Sequence, residues 1–346
     1  MPIIAPDIAI DLGTSNTQVY VKHKGVVLDE PTLMVVDNKK KKSVKAFGDD
    51  ARLLLGRTPG DVVSLRPLEE GVIKDYDMTE YMLEYFIRKS IGSSRLVRPR
   101  GLITVPTRIT AVERKVICEA AERAGVRRGA LHLIDKPFAS ALGSGLPVFD
   151  PKGSMVVDIG GGTTEVAVIA MGGIVVSQSI RVGGLTMDRA IIDYIKRVFN
   201  MQIGDRTAED VKMDLGSALP INETRRAFVR GHDQVTKLPQ TAEISAKMVY
   251  EALIPPCQEI LAAIQYVLER TPPELAGDVM RSGIHLTGGA SQLCAMDRFI
   301  ATELDMPVLL AKEAMACTIK GIGYLVDNID LMQRMCTPVA MRSSES

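Results

Sequence analysis

The sequence predicts an α/β fold of two related lobes, chiefly because one strand–turn–strand pattern occurs twice. Residues 8–17 and residues 155–168 each contain an apolar strand that ends in Asp, a turn rich in glycine and hydroxyl groups, and a second apolar strand. The length of 346 residues exceeds the usual size of one domain. A repeat of this kind indicates two lobes that close on one ligand.

Strand and helix signals alternate through the first half of the chain, as expected for an α/β fold. The predicted elements are strands within 8–36 with a hairpin turn at 22–25, a helix over 79–91 with Asp77 or Thr79 as its N-cap, a strand at 102–106, a helix over 111–124 that ends at Gly125, a strand at 131–134 and a helix that begins at 138–142. Glycine and proline are dense in residues 143–153, which predicts a hinge between the lobes.

The second half repeats the opening and then adds helices. Its predicted elements are the repeated hairpin with a further turn at 172–173, helices over 186–198 and 207–217, a polar strand-like stretch at 221–243, a helix from Ser245, a strand from 284 that enters a glycine turn, and a helix over 314–325. In the helix over 207–217, Thr207 is the expected N-cap and Asp210 completes a capping box.

Composition and charge exclude several classes of protein. Lys+Arg and Asp+Glu each total 42, so no net field favours nucleic acid as a partner. The 5 cysteines are scattered without metal-site spacing, which argues against a disulfide framework or a zinc site and indicates a reducing cytoplasm. No apolar run approaches the roughly 20 residues of a membrane span, and no signal peptide is recognisable. We expect a soluble or peripheral protein.

The two turns have a chemistry that suits phosphate. Glycine lets the main chain approach a ligand closely, so that backbone N–H groups can point at phosphate oxygens. Asp11 and Asp158 end the strands that precede the turns, where a carboxylate can hold the water shell of a bound Mg²⁺. Either turn alone could be only a tight turn between strands, and Asp11 could be only a strand-end cap.

Three motifs together resemble those of the actin superfamily. Residues 11–14, 158–163 and 286–289 occur in the order of its phosphate-1, phosphate-2 and adenosine motifs. Longer segments are similar to the MreB family of bacterial actins: 71–73, 180–184, 203–209 and 271–275. The similarity runs from residue 8 to residue 316 and beyond. It implies an actin-like ATPase fold that binds ATP with Mg²⁺ and polymerises into membrane-attached filaments, which guide cell-wall synthesis and set rod shape.

The resemblance also implies a domain organisation. Lobe I would span 1–145 with an inserted subdomain at about 32–74, and lobe II would span 146–330 with an insertion at about 183–249. The tail at 331–346 would pack on lobe I and then become disordered.

Site residues follow from the same resemblance. The implied nucleotide contacts are Gly13, Thr14, Ser15 and Asn16 on the β- and γ-phosphates, Gly160, Gly161, Gly162 and Thr163 on the phosphates from the other lobe, Glu209, Asp210, Val211 and Lys212 at the ribose and base, and Gly288, Gly289, Ala290 and Ser291 along the adenosine. Asp11 and Asp158 would orient metal-bound water. Glu209 and Lys212, three positions apart, could instead pair on the surface of their helix.

One position departs from the family pattern. The family has a Glu directly before the proline at residue 137, and that Glu helps to position the attacking water; here the residue is Lys136. A charged ammonium only donates hydrogen bonds and cannot accept a proton from water. We therefore predict ATP binding with weak or slow hydrolysis, with Asp135, Lys136 and Thr163 as the residues at the reacting phosphate. Alternatively, Lys136 points away and Asp135 or Thr163 takes over.

A second class of function stays open at this point. Sugar kinases share the two-lobed clamp, so a small-molecule kinase is the alternative to a filament protein, although no motif for a sugar pocket is evident. A chaperone is less favoured, because no peptide-binding domain follows the ATPase fold. Met187, Met201 and Ile203 could contact other subunits, but core packing is the preferred interpretation.

The expected partners are other copies of the chain, the inner face of the cytoplasmic membrane, and the proteins of cell-wall elongation and rod shape, with no nucleic acid. The predicted location is cytoplasmic and peripheral at that membrane. The loop at 93–100 has two apolar residues flanked by three arginines, which suits an anionic lipid surface but is also compatible with a solvated loop. Residues 1–6 are too short for an amphipathic anchor helix.

Overall fold

Two mixed β-sheets carry the structure, a computed structural model that describes residues 6–37, 39, 43–56, 61–92, 98–220 and 224–338. Up to residue 143 the elements are β1 (Ile8–Leu12), β2 (Asn16–Val21), β3 (Gly25–Pro31), β4 (Met34–Asp37), β5 (Ser43–Phe47), α1 (Gly48–Leu54), β6 (Val62–Leu65), β7 (Leu68–Glu69), β8 (Val72–Ile73), α2 (Tyr76–Ile91), β9 (Gly101–Val105), α3 (Ala111–Arg123), β10 (Leu131–Asp135) and α4 (Lys136–Gly143).

The second half begins with the repeated hairpin. Its elements are β11 (Ser154–Ile159), β12 (Thr164–Ala170), β13 (Gly173–Ile180), α5 (Gly184–Phe199), β14 (Met201–Gln202), α6 (Asp205–Leu215), β15 (Arg226–Asp233), β16 (Pro239–Ser245), α7 (Ala246–Arg270), α8 (Pro273–Ser282), β17 (Ile284–Thr287), α9 (Met296–Leu304), β18 (Val308–Leu310), α10 (Cys317–Asp327), α11 (Ile329–Met335) and β19 (Thr337–Pro338).

The two large sheets repeat one topology. The first has the strand order β19-β10-β9-β1-β2-β3, and the second has the order β13-β12-β11-β17-β18. In each, the strand before the glycine turn pairs antiparallel with the strand after it and parallel with a later strand, β9 in the first sheet and β17 in the second. The predicted α/β fold and the predicted repeat are therefore confirmed.

Smaller sheets lie in the segments predicted as insertions. Strands β5, β4 and β6 form one three-stranded sheet, and β7 pairs with β8 as a separate hairpin. Strands β14, β15 and β16 form the other three-stranded sheet. Met187, Met201 and Ile203 are buried in the core around the second large sheet, so the preferred interpretation of these residues as core is confirmed. The division into lobes at residue 145 stays a prediction.

Helices α4 and α10 pack together between the two large sheets. Their apolar faces belong to one buried cluster that includes Ala9 of β1 and Val156 of β11. The two helices can approach closely because Gly321 has no side chain. A Cβ on Gly321 would lie only 1.9 Å from the carbonyl oxygen of Ala139. This helix pair places the start of α4 at the cleft between the sheets.

Several predicted helix starts are wrong. Helix α2 begins at Tyr76, and its N-cap is Asp75, whose side chain accepts the N–H of Met78. The cap is thus neither Asp77 nor Thr79, because the aspartate outside the helix satisfies one of the free N–H groups of the first turn. Helix α6 begins at Asp205 after Gly204 without a side-chain cap, so Thr207 lies inside the helix and is not its N-cap.

Part of the membrane hypothesis falls outside the described residues. Residues 93–97, which include the two apolar positions of the loop, are not described, nor are residues 1–5. Arg100 forms an ion pair with Asp7 at 2.7 Å, so one of the three arginines is already neutralised within the protein. Among the described residues, no helix has both the length and the apolar character needed to cross a bilayer.

The C-terminal segment returns to the first sheet. Strand β19 pairs antiparallel with β10 at the edge of the six-stranded sheet, after the short helix α11. The tail at 331–346 is predicted to pack on lobe I and then become disordered; its last residues, 339–346, lie outside the described residues.

Candidate functional site

A cavity of about 550 Å³ lies between the two large sheets, and most of the predicted site residues line it. Those that do are Asp11, Gly13, Thr14, Ser15, Asn16, Lys136, Asp158, Gly160, Gly161, Gly162, Thr163, Glu209, Lys212, Gly288, Gly289 and Ala290. They come from both halves of the chain, because the turns that follow β1 and β11 face each other across the cleft.

The two glycine turns approach each other closely. A Cβ on Gly161 would lie 1.9 Å from Ser15 Oγ, so only glycine allows this approach. The Gly160 N–H closes its own turn by donating to the Thr163 carbonyl at 2.8 Å. In the described part of the chain, the N–H groups of Gly161 and Gly162 donate to no protein acceptor. These donors are therefore free to bind an anion in the cavity.

Asp158 is buried and is held by three hydroxyl groups. Its Oδ2 lies 2.8 Å from Ser140 Oγ, 3.1 Å from Thr287 Oγ1 and 3.3 Å from Thr318 Oγ1, and the Ser140 and Thr287 hydroxyls also hydrogen-bond each other at 2.6 Å. These hydroxyls come from α4, β17 and α10. The other oxygen, Oδ1, is buried and has no hydrogen-bond partner among the described residues. Because a buried carboxylate oxygen without a hydrogen bond is costly, a cation close to Asp158 Oδ1 would stabilise the carboxylate.

Lys136 lies between the two strand-end aspartates. Its Nζ is 3.7 Å from Asp158 Oδ1 and 3.9 Å from Asp11 Oδ1, and Thr104 Oγ1 donates to the same Asp11 oxygen at 2.6 Å. Burial alone would lower the pKa of Lys136, but Asp11, Asp158 and Glu165 together raise it above its usual value. Lys136 is therefore a cation that points into the cavity, and the alternative in which it points away is wrong.

Burial acts in the opposite direction on the neighbouring carboxyls. It raises the pKa of Asp11 above its usual value, against the lowering effects of Lys136 and the Thr104 hydrogen bond. It also raises the pKa of Glu165, whose Oε2 accepts from Thr107 Oγ1 at 2.9 Å across the cleft. The site thus concentrates negative charge around one ammonium group.

The two aspartates fit a magnesium ion. They approach the cavity from opposite sheets, and carboxylate oxygens such as Asp158 Oδ1, which accepts no hydrogen bond within the described residues, are of the type that Mg²⁺ prefers. Within the described ranges, no group of three or more His, Cys, Asp and Glu side chains could hold a metal ion. An ion here would consequently keep much of its water shell, as Mg²⁺ usually does.

Lys212 and Glu209 lie on the cavity wall but do not pair with each other. Lys212 Nζ lies 2.7 Å from Asp188 Oδ1 and donates to the Gly184 carbonyl at 3.0 Å. Glu209 pairs with Arg52 of α1 at 3.4 Å, across the cleft. The alternative of a Glu209–Lys212 surface pair is therefore wrong, because each side chain has a partner on another element.

Four predicted site residues do not line the cavity. Asp210 is exposed on the outer side of α6, and Val211 is buried in the core beneath that helix. Ser291 is buried and donates its hydroxyl to the Gly288 carbonyl at 2.6 Å. Asp135 is half-buried beside the cleft, where burial raises its pKa against the opposing effect of Arg114.

The cavity includes residues that the sequence analysis did not assign to the site. They are Gln18, Arg52, Gly184, Leu185, Met187, Asp188, Met213, Gly216, Gln292, Leu293, Cys294, Met315 and Thr318. Asp188 lies in the second turn of α5, shortly after a glycine pair. An acidic residue at an otherwise apolar position of that helix was a sequence signal that could have identified it as a site residue. Arg52 and Thr318 reach the cleft through tertiary packing alone, which no local pattern shows.

Nearly the whole sequence matches one family model. Residues 5–334 match the model described as MreB/Mbl protein. The chain belongs to the MreB/Mbl family. It is 45% identical to the cell shape-determining protein Mbl of Bacillus subtilis (strain 168), over 96% of this chain and 99% of that protein. It is 44% identical to the cell shape-determining protein MreB of Escherichia coli (strain K12), over 94% of each.

Solved structures of MreB/Mbl relatives share the fold. MreB5 of Spiroplasma citri bound to AMPPNP superposes with a TM-score of 0.89 at 35% identity, over 96% of this chain and 99% of that one. The same protein bound to ADP gives a TM-score of 0.88 at 34% identity, over 95% of this chain and 99% of that one. A MamK double helical filament gives 0.75 at 20% identity, over 93% and 99%, which supports the fold alone. The actin-like fold class is confirmed.

Proposed function

We propose that this chain is an ATP-binding bacterial actin whose nucleotide controls its assembly into filaments. The observation that carries the proposal is the pair of glycine turns, which face one cavity from two sheets of the same topology. The related MreB5 of Spiroplasma citri has been solved with ADP and with AMPPNP, which supports a nucleotide as the ligand of this cavity.

Each wall of the cavity suits one part of the nucleotide. The turns at residues 13–16 and 160–163 would bind the β- and γ-phosphates through backbone N–H groups. Residues 288–290 would lie along the adenosine, and Glu209 and Lys212 would contact the ribose and base. Asp11 and Asp158 would hold the Mg²⁺, which supplies charge neutralisation to the phosphates.

Hydrolysis in this cleft is proposed to be weak. Asp135, Lys136 and Thr163 are the residues proposed to act at the γ-phosphate, but Asp135 does not line the cavity and Lys136 cannot serve as a base while charged. A missing general base slows a reaction by about 10²–10⁴-fold. The site thus favours a long-lived nucleotide complex over rapid turnover, and hydrolysis acts as a slow timer of assembly.

The proposed cellular role is the control of rod shape. Relatives named cell shape-determining proteins match nearly the full chain, which supports a role in cell shape. The proposal further includes homopolymeric filaments at the inner face of the cytoplasmic membrane that direct cell-wall elongation proteins. A sugar-type kinase is not favoured, because the family match covers residues 5–334.

Nucleotide binding can be tested with two glycine substitutions. Gly161→Ala places a methyl group 1.9 Å from Ser15 Oγ and forces the two turns apart, whereas Gly204→Ala meets no atom within 4 Å. We expect the Gly161→Ala variant to bind ATP at least about tenfold more weakly in calorimetric titrations, which corresponds to about 1.4 kcal/mol. The Gly204→Ala variant should bind as the parent does. Equal affinity in all three proteins would contradict the proposed site.

Assembly can be tested by sedimentation with ATP beside a screen for sugar phosphorylation. We expect ATP-dependent pelleting of the parent protein, reduced in the Gly161→Ala variant, and no transfer of phosphate to sugars. A soluble parent protein that phosphorylates a sugar would support the kinase alternative.

A further inference from the structure

The amino group of Lys136 lies in the region where the two aspartates would hold a metal ion. It is within 4.0 Å of a carboxylate oxygen from each of the two sheets, at 3.9 Å from Asp11 and 3.7 Å from Asp158. A Cβ built on Gly160 would lie 3.7 Å from the same nitrogen, so the ammonium also reaches the base of the second glycine turn. Only 17% of the Lys136 side chain is exposed.

This ammonium meets the electrostatic demand that Asp158 creates. Three hydroxyls satisfy Asp158 Oδ2, while Oδ1 has no hydrogen-bond donor within the described residues and faces Lys136. The opposite charges of Lys136 and Asp158 attract across this distance, and the attraction is stronger than in water because the site is largely buried. The position therefore holds a permanent monovalent cation that is tethered to α4.

The identity of residue 136 changes the charge of the cleft by two units. A Glu here would place a third carboxylate near Asp11 and Asp158, and a nucleotide would then meet three negative groups. Phosphates could approach such a cleft only with a divalent ion to neutralise it. With Lys136, one ammonium already offsets part of the charge of the aspartate pair.

We propose that Lys136 acts as a built-in counter-cation, which lets the cleft bind a nucleoside diphosphate without a divalent metal ion. This inference rests on the proposed function, because it assumes that the cavity binds a nucleotide. It adds a property that neither the motifs nor the relatives assign: the metal requirement of binding is relaxed by a residue of the chain itself.

The test is a set of calorimetric titrations with ADP, in excess MgCl₂ and in EDTA. ADP is used because it cannot lose a γ-phosphate during the measurement. The proteins are the parent, Lys136→Arg, Lys136→Met and Lys136→Glu, with Lys115→Glu as a control for the same charge change. Lys115 lies on α3 outside the cavity, and 77% of its side chain is exposed.

We expect EDTA to weaken ADP binding to the parent, Lys136→Arg and Lys115→Glu proteins by less than about tenfold. In Lys136→Glu, EDTA should weaken ADP binding by about 100-fold or more, because no metal ion then neutralises the added carboxylate in this partly buried site. Lys136→Met should fall between these values. A merely structural role of Lys136 would change affinity in both buffers alike, and so would leave this ratio unchanged.

Two results would overturn the inference, and they differ from each other. Loss of ADP binding to the parent in EDTA, to the same extent as in Lys136→Glu, would show that Lys136 does not replace the metal, while the nucleotide site itself would stand. Absence of ADP binding to the parent in both buffers would overturn the inference together with the proposed function.

Discussion

Asp158 shows how a single side chain is prepared for a charged ligand. Its Oδ2 is fixed by Ser140, Thr287 and Thr318, so the carboxylate cannot rotate without breaking hydrogen bonds. The remaining oxygen is then aimed at the ammonium of Lys136. We therefore expect ligand binding at this site to depend on the charge of residue 136 more than on its size.

The first prediction concerns hydrolysis. Lys136→Glu restores a carboxylate that can position and accept a proton from water, so phosphate release from ATP should rise by about 10²-fold or more in excess Mg²⁺. A continuous phosphate-release assay measures this rate. Lys136→Gln is the matched control, since it removes the positive charge without adding a base, and it should give a smaller increase. An unchanged rate in Lys136→Glu would contradict the assignment of slow hydrolysis to Lys136.

The second prediction concerns the buried Lys212–Asp188 pair. Burial raises the folded-state pKa of Asp188 against the effect of Lys212, so Lys212→Met should raise it further. The folded variant then holds a proton that the unfolded chain releases above about pH 4. The Lys212→Met variant therefore loses stability as the pH rises from about 4 through the folded-state pKa of Asp188.

Urea unfolding measures the consequence. At pH 8 the Lys212→Met variant should lose about 3–5 kcal/mol of unfolding free energy, because one buried charge is left alone, and the loss should be smaller at pH 5. The double variant Lys212→Met, Asp188→Asn lacks the titrating group and should not show this pH dependence. A loss in Lys212→Met that is the same at both pH values would contradict the prediction.

Elements with a local signature were predictable, and elements that depend on distant packing were not. The hairpin around each glycine turn is indicated by a short stretch of local sequence. The same is true of Ser245, which caps α7. The α2 cap was misplaced because Asp75, Asp77 and Thr79 all satisfy the local rule, and only the path of the incoming chain selects Asp75.

The same distinction applies to the candidate site. Its glycine turns and aspartates are readable as short motifs. The contact between Thr318 and Asp158 joins residues 160 positions apart and has no sequence period. The Arg52–Glu209 pair likewise joins two surface helices 157 positions apart. Such contacts depend on how distant segments of the chain pack together, which no local pattern specifies.

The third prediction tests the packing of α4 against α10. Gly321→Ala puts a methyl group 1.9 Å from the Ala139 carbonyl oxygen, so overpacking should reduce the unfolding free energy by about 1–3 kcal/mol. Gly277→Ala in α8 meets no atom within 4 Å and should instead stabilise the protein by about 0.5–1 kcal/mol. Thermal and urea unfolding of both variants give the comparison. Stabilisation by Gly321→Ala would show that the helices do not approach as closely as described.

At the scale of the whole molecule, side-chain contacts connect the two halves of the chain across the cleft. Glu165 of the second sheet accepts from Thr107, which follows β9 of the first, and Arg52 pairs with Glu209 across the opening. A ligand that binds both glycine turns adds to these contacts. The cavity should therefore be covered, and its wall protected from reagents, whenever a nucleotide is bound.

Cys294 offers a direct measurement of that protection. It is the exposed cysteine among the five, all of which are described, and it lines the cavity. Burial raises the pKa of Cys118 and Cys317 to about 11 and that of Cys257 and Cys336 to about 12, which keeps these thiols protonated and unreactive at pH 8. A thiol reagent should therefore modify one cysteine rapidly and the other four only as the protein unfolds.

Nucleotide should slow this modification in proportion to occupancy. At ADP concentrations ten times the Kd, about one site in eleven is free, so the rapid reaction should slow by about tenfold. Cys294→Ser should abolish the rapid phase and so confirm its assignment. A rapid phase that persists unchanged in saturating ADP would mean that the nucleotide does not bind against the wall that contains Cys294. The adenosine side of the cavity would then have to be assigned elsewhere, although phosphate contacts at the two glycine turns would remain possible.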